Sequence, residues 1–380
     1  MTVWDVAVVG AGPAGSLAAH QLARGGASVI LLDRAAFPRW KVCGGCLSPG
    51  ALSVLEAAGL GGLAASLGAV PLRRLVLHAR GAGASPVTLS GSLALSRAAF
   101  DASLVQSAET AGSTFWAESH AMLGAAHRDA RELRVRRRDG DHVVRARVVI
   151  DATGLGPGLP GASADGEVSD GSRLGLGAVL VGEDHPVEPG DLHMAVGRAG
   201  YVGLVRVEGG ALTVAAALDP VAVRAASPKS VVGSVLAEVG LPPLCERPLL
   251  GWRGTPLLTR SGAGAGDERL LRIGDAAGYV EPFTGEGMCW ALSAGFAVAP
   301  VAMAGAERWR EDLLDDWRTH LGRSLTPSQR LCRLLAWVLR RPSLVRAGVA
   351  AVGIAPGLAG PVVSRASRAP AFGRAFEVGV

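Results

Sequence analysis

Short apolar runs punctuated by glycine open the chain. Residues 3–9 (VWDVAVV) read as a buried strand, a glycine turn follows, a helix is predicted from Gly15 to Arg24, and Ser28–Leu32 reads as a second buried strand. That is the start of a βαβ unit. Ser48–Ala58 is a predicted helix with Ser48 as N-cap and Pro49 at its first position. Arg73–Ala79 alternates as a strand does, and Arg97–Ala111 sets Phe100, Leu104 and Ala108 at helical spacing. Arg131–Val149 reads as a hairpin turning at Asp139-Gly140, and Arg147–Ile150 as a buried strand ending at Asp151.

The pattern then changes. Leu174–Val181, Leu192–Val196, Tyr201–Val207 and Ala211–Leu218 are successive strands separated by turn signals such as Glu208-Gly209-Gly210, which predicts an antiparallel sheet. Leu270–Ile273 returns to a parallel strand and Gly287–Ala299 to a helix. From Ala306 onward the chain is helical and arginine-rich, with proline breaks near 342, 356 and 361. The class expected is α/β: a Rossmann-type parallel sheet (1–70, 96–156 and 266–300) interleaved with a mostly antiparallel substrate sheet (71–95 and 157–265), plus a helical C-terminal region (301–380).

Composition narrows the field. With 49% hydrophobic and 19% charged residues, a chain of 380 can bury a large core in two or three units. The net charge of +5 is mostly arginine, and its densest run, Arg134 and Arg136–Arg138, reads as the solvated face of the hairpin. Aromatics at 4% are too sparse for a nucleic-acid stripe, so no nucleic-acid partner is expected. Five cysteines without framework spacing point to a reducing cytoplasm. No basic leader precedes Val6–Val9. Ala347–Val363 is apolar but broken by glycine and proline, which leaves room for peripheral membrane contact through the C-terminal region.

The first chemical signal is Gly10-x-Gly12-Pro13-Ala14-Gly15 between strand and helix. The first glycine permits the tight turn, the second lets backbone approach a pyrophosphate, and the third lets helix and strand pack closely. Asp33, at the end of the next strand, stands where a carboxylate accepts the ribose hydroxyls of an ADP moiety, with Arg34 beside it. These residues alone leave NAD and FAD both open.

A second element follows a strand later: Arg272-Ile273-Gly274-Asp275-Ala276-Ala277-Gly278, then Pro282-x-x-Gly285-Glu286-Gly287-Met288 opening a helix. The pair resembles the second flavin signature of the p-hydroxybenzoate hydroxylase and geranylgeranyl reductase superfamily. The resemblance implies FAD, with Asp275 on the ribitol chain and the Gly285–Gly287 amides at the flavin pyrimidine edge. Lys41-Val42-Cys43-Gly44-Gly45-Cys46 resembles the loop that passes beside the flavin in geranylgeranyl reductase-like proteins. Arg97 matches a family arginine that contacts FAD, Gln106 follows on the same helix, and Asp151-Ala152-Thr153-Gly154 matches the strand-end glycine motif. Where the hydroxylases carry Asp-Gly-Ser-Arg, this chain departs with Thr153–Pro157. Cys43 and Cys46 lack a second metal pair, so no metal is expected.

Cys43, His193 and Tyr201 are the candidate catalytic side chains, and Met194 and Arg206 join them as candidates on the inserted sheet. The resemblance implies an FAD-dependent oxidoreductase taking electrons from NADPH or NADH and acting on a small molecule. The leading expectation is a monooxygenase that hydroxylates or epoxidises an aromatic, polyketide or quinone-like compound of secondary metabolism through a flavin hydroperoxide. The alternative is a C=C reductase of the geranylgeranyl reductase type, and a non-catalytic flavin carrier comes last.

Overall fold

The βαβ start forms as expected. A computed structural model describes residues 2–163, 166–182, 184–244, 250–261, 264–281, 283 and 285–360. β1 (Val3–Val9), α1 (Pro13–Arg24) and β2 (Val29–Leu32) come first, with Val6 paired to Val29 and Val9 to Leu32 in parallel register. A loop then runs to the short β3 (Cys46–Leu47) and to α2 (Pro49–Ala57), whose N-cap Ser48 accepts from the Ala51 amide. After α3 (Leu63–Ser66) come the antiparallel β4 (Val70–Ala79) and β5 (Gly83–Ala94), and α4 (Arg97–Thr110), capped by Ser96, leads to β6 (Thr114–Trp116). β7 (His120–Ala126), β8 (Arg131–Arg137) and β9 (Gly140–Asp151) form a meander whose second turn uses Gly140 at φ 126°.

β10 (Leu174–Leu180), β11 (Asp191–Gly197), β12 (Gly200–Arg206) and β13 (Leu212–Leu218) follow, then α5 (Pro220–Ala225), α6 (Pro228–Glu238) and β14 (Leu250–Leu257). The chain returns through β15 (Gly266–Asp267) and β16 (Leu270–Arg272) and ends in α7 (Gly287–Glu307), α8 (Asp312–Val338) and α9 (Pro342–Ile354). One sheet has the order β15-β16-β9-β1-β2-β6, parallel from β16 to β6, with β8 and β7 hung on β9. The other has the order β14-β10-β13-β12-β11-β4-β5-β3 and is antiparallel except at the β4–β11 pair. The α/β class with an interleaved, mostly antiparallel sheet is therefore observed.

Burial explains the sequence patterns. β1 and β2 are apolar without alternation because helices and the meander cover both faces of a parallel sheet. α7 is long and apolar enough to cross a membrane, yet most of it lies in the core, between the sheet, α1 and α8. At its crossing with α1, a Cβ on Gly295 would stand 2.2 Å from the Ala14 carbonyl oxygen, so only glycine permits the approach. The second sheet has a far face, covered by Val231, Val232, Val235 and Leu236 of α6. Its near face turns toward the nucleotide half.

Candidate cofactor and substrate cleft

Gly10 closes the turn after β1 at φ 107°, and a Cβ there would lie 2.2 Å from the Ala152 oxygen at the end of β9. Gly15 is as constrained: its Cβ would lie 1.9 Å from the Gly10 oxygen. α1 therefore starts hard against the turn, and its N-cap, Gly12, supplies no side-chain bond to the first amides. α7 begins in the same way, with no side-chain cap from Glu286 and with Gly285 at φ 77°. By contrast α2, α4, α5 and α6 are closed by Ser48, Ser96, Asp219 and Ser227. α3, α8 and α9 also lack a side-chain cap, but the uncapped starts of α1 and α7 meet in one cleft, which Gly12, Pro13, Ala14, Gly285, Gly287 and Met288 line. Free backbone donors at positive helix ends suit phosphate on one side and a developing negative charge on the other.

Lys41, Arg97 and Asp275 line this cleft, and further charged side chains stand behind its lining. Asp33 Oδ2 accepts from the Ala11 amide at 2.8 Å and Oδ1 from Ala35 at 2.9 Å, which fixes the carboxylate beside the turn while leaving lone pairs for ribose hydroxyls. Arg34 stands exposed next to it. Arg39 bridges Asp33, at 3.5 Å, and Asp101, at 3.3 Å. Arg97 grips Asp101 through two bonds of 2.7 Å, and both side chains are buried. Burial opposes the Arg97 charge, but Asp101 outweighs it and the guanidinium stays protonated. Lys41 and Asp275 face each other electrostatically across the cleft. Burial and then Arg97 push the amine down, and burial pushes the carboxyl up against Lys41 and Arg97. Gly154 and Gly274 line the same space, and Thr153 caps Asp151 through its hydroxyl at 2.7 Å. Gln106 lies on α4, outside the cleft lining.

Sequence reasoning missed Arg39, Asp101, Tyr279 and Phe283. Asp101, four residues after Arg97 on a predicted helix, could have been found from the i,i+4 rule. The others sit on loops with no local pattern.

The loop from Lys41 to Cys46 crosses the mouth of the cleft. It approaches the second sheet at Gly177, where a Cβ would lie 3.1 Å from Val42 and 3.5 Å from Trp40. A Cβ on Gly44 would meet nothing within 4 Å, leaving open space on the cleft side. Gly45, at φ 67°, lies against the Leu95 carbonyl. Cys43 Sγ accepts from the Gly45 amide at 3.5 Å, and Cys46 Sγ donates to the Gly44 carbonyl at 3.4 Å. The thiols are unbridged, and burial and then Cys43 push the Cys46 thiol up to about 12. Cys46 is thus the thiol, not a nucleophile. Cys46→Ser is expected to keep flavin reduction and product formation within about three-fold of the parent. A disulfide between Cys43 and Cys46 accumulating during turnover, seen by mass spectrometry after alkylation, would contradict this.

The wall opposite the nucleotide is the near face of the second sheet. Met194, Tyr201, Gly203, Ala215 and Ala217 present to the cleft, and Leu258, Tyr279 and Phe283 complete it. Tyr201 meets Phe283 edge to face at 5.0 Å. Behind it Arg173 pairs with Glu281 at 3.0 Å, both buried, and the Arg173 guanidinium sits 5.5 Å from the Tyr201 ring. Burial and then the Glu281 charge raise the Tyr201 phenol well above its ordinary range, and burial and then Asp275 do the same to Tyr279.

Two of the candidates on this sheet do not face the cleft. His193 alternates with Met194 and so points to the far face, where Nδ1 meets His78 Nε2 at 3.1 Å and Nε2 lies 4.0 Å from Asp191. Burial and then His78 push His193 down to about 4, which keeps the pair neutral inside the sheet. Arg206 donates to the Val187 carbonyl at 2.6 Å and to the His185 carbonyl at 3.0 Å, tying loops together.

Glu286 also turns from the cleft. It is 1% exposed, against α8, where the Cys332 thiol lies 3.9 Å from Oε2. Pro282 falls outside the described residues. Burial raises the Glu286 carboxyl to about 8 from 4.5, with the Cys332 contact opposing. The folded state therefore holds a proton that the unfolded state has released. The stability this contributes is full below about pH 4.5 and lost as pH rises through about 8. Glu286→Gln is expected to flatten the fall in urea midpoint between roughly pH 5 and pH 8, where the native side chain costs on the order of a few kcal/mol. An unchanged slope would contradict it.

Glycine turn, acidic strand end and paired helix starts are the features a flavin-dependent oxidoreductase needs, and residues 5–178 match the family model described as FAD dependent oxidoreductase. Over 57 residues it is 56% identical to a menaquinone reductase of Mycobacterium tuberculosis, a segment making up 15% of this chain and 14% of that protein. The p-nitrophenol 4-monooxygenase PnpA of Pseudomonas putida is similar in fold over 96% of this chain and 97% of that one, at 16% identity and TM-score 0.76. A geranylgeranyl bacteriochlorophyll reductase-like protein of Thermoplasma acidophilum matches 93% of this chain and 92% of that one, at 18% identity and TM-score 0.75. The cleft fits FAD, with both uncapped helix starts and the side-chain-free space at Gly44 opening into it.

Proposed function

We propose that the protein is a flavin-dependent reductase of an apolar, uncharged molecule carrying a C=C bond or a quinone ring, with electrons drawn from NADPH or NADH. The observation that carries this reading is the sheet side of the cleft. Among the described residues it presents no carboxylate, imidazole or amine, and its titratable groups are the phenols of Tyr201 and Tyr279. Burying a charged substrate against such a wall is costly, whereas a neutral one gains from contact with Met194, Leu258 and Phe283. The segment shared with a menaquinone reductase supports the same class.

When bound and reduced, the flavin supplies a hydride. Tyr201, kept protonated by burial and by Glu281, holds a proton at its phenol oxygen on the sheet side of the cleft. A phenol held so far above its ordinary range gives that proton only to a strongly basic centre, such as the atom at the other end of a double bond whose first carbon has received hydride and which now carries the π electron pair. Arg173 and Glu281 position the ring from behind. Tyr201→Phe is expected to lower turnover roughly 10²-fold with FAD content unchanged.

Monooxygenation is the second reading. It is favoured by the fold shared with a p-nitrophenol 4-monooxygenase along nearly the full length of both chains. Anaerobic mixing of the reduced protein with a short-chain menaquinone separates the two. Flavin reoxidation with a product that has gained two hydrogens is expected. No anaerobic reoxidation, but a product that has gained one oxygen atom under air, would overturn the reductase reading.

A further inference from the structure

α9 is apolar on both sides, and among the described residues only one side is covered. Its inner face packs on β4 and β5: Val345 and Val349 are buried, Ser85 donates to the Val349 carbonyl at 2.9 Å, and a Cβ on Gly353 would lie 2.8 Å from the Ser85 hydroxyl. That face belongs to the same apolar cluster as Met194, Tyr201 and Phe283 of the cleft. The outer face carries Leu344, Ala347, Ala351 and Ile354, all exposed and at helical spacing, with Ile354 at 87%, and Leu358, in the short 3-10 turn that follows the helix, is exposed at 61%. Trp337, at the end of α8, is half exposed under the Arg341 guanidinium, 3.5 Å from its ring.

The charge around this stripe is predominantly positive. From Trp317 to Gly360 the sequence has seven arginines and no aspartate, glutamate or lysine. The strands beneath α9 continue the pattern: residues 70–96 contain Arg73, Arg74 and Arg80 and no acid. Glu238 is the acid on the described lining of the groove beside α9, and it already accepts from the Arg198 amide at 3.1 Å. An apolar helical stripe set in an arginine-rich, acid-poor surface matches the boundary between acyl chains and anionic headgroups, which takes up both features at once.

We propose that the outer face of α9, with Leu358, docks on an anionic lipid bilayer. The helix would then be the layer between the lipid and the apolar cluster that walls the cleft. The proposal concerns where the protein sits, and it stands whether the cleft carries out reduction or oxygenation.

The test is co-sedimentation of the FAD-loaded full chain with phosphatidylcholine vesicles, with and without phosphatidylglycerol, across a salt series, alongside light scattering of the protein alone. The wild type is expected to be monomeric, to bind phosphatidylglycerol vesicles and to lose that binding as salt rises. The Leu344→Glu/Ile354→Glu variant should partition about ten-fold or more less well at an unchanged melting temperature. Ile354→Ser, at the most exposed position, should show a smaller loss and serves if the double variant misfolds. Arg340→Gln/Arg341→Gln should weaken binding and flatten its salt dependence. Three results would overturn the proposal. A wild type that stays in the supernatant with phosphatidylglycerol vesicles would assign the face to something else, including residues 361–380. A wild-type dimer that Leu344→Glu/Ile354→Glu converts to monomer would assign it to a second copy. Folded glutamate and serine variants that bind as well as the wild type would remove the stripe from any docking role.

Discussion

Gly10→Ala is expected to yield a protein that retains less than roughly a tenth of its FAD and melts well below the parent. The new methyl group would stand 2.2 Å from the Ala152 oxygen, in a backbone conformation of φ 107° that alanine rarely adopts. Neither partner can yield cheaply. Gly10 donates its amide to the Leu32 carbonyl at 2.7 Å, and Ala152 donates its own to Val9 at 2.8 Å, so both lie at strand ends pinned by the sheet. Backbone strain and overpacking each cost on the order of 1–3 kcal/mol, and either displaces the turn that aims α1 at the cleft. Absorbance at 450 nm against protein concentration reads the FAD content. Near-stoichiometric flavin in the variant would show that the turn does not hold the cofactor.

Arg97→Leu is expected to destabilise the fold by about 3–5 kcal/mol and to weaken FAD binding as well. Asp101 is wholly buried, and its two short bonds to Arg97 are its main compensation, Arg39 being the more distant partner at 3.3 Å. Removing the guanidinium leaves a carboxylate that burial penalises. The paired variant Arg97→Leu/Asp101→Leu separates the two effects. Stability should largely return because no charge is stranded, whereas FAD affinity should stay low because the cleft has lost its buried cation. Denaturant melts and FAD titration of the two variants check this. Full recovery of affinity in the pair would make Arg97 a purely structural residue.

The parts of this site legible in the sequence are those where backbone geometry dictates residue type. Gly10 and Gly15 cannot carry side chains, Asp33 ends a strand beside them, and Ser48 caps its helix as its hydroxyl predicts. The Asp139-Gly140 turn was legible for the same reason. Facing was harder to read. β11 is buried on both faces, so its apolar run carries no alternation to say that Met194 meets the cleft and His193 the opposite side. Glu286 sits inside a flavin-like motif, but the helix that the motif starts carries its side chain toward α8. Arg173 and Glu281, 108 residues apart, meet only through the fold. β5, β6, β7 and β14 escaped the pattern because glycine, serine and exposed polar residues dilute their alternation.

One FAD, held by non-covalent contacts, is expected in the cleft between the starts of α1 and α7. Heat or acid release from the purified protein, followed by mass spectrometry of the supernatant and precipitate, tests it directly. A yellow protein that releases one equivalent of FAD and leaves an unmodified chain is expected. A colourless protein that takes up NAD and rejects added FAD would contradict it.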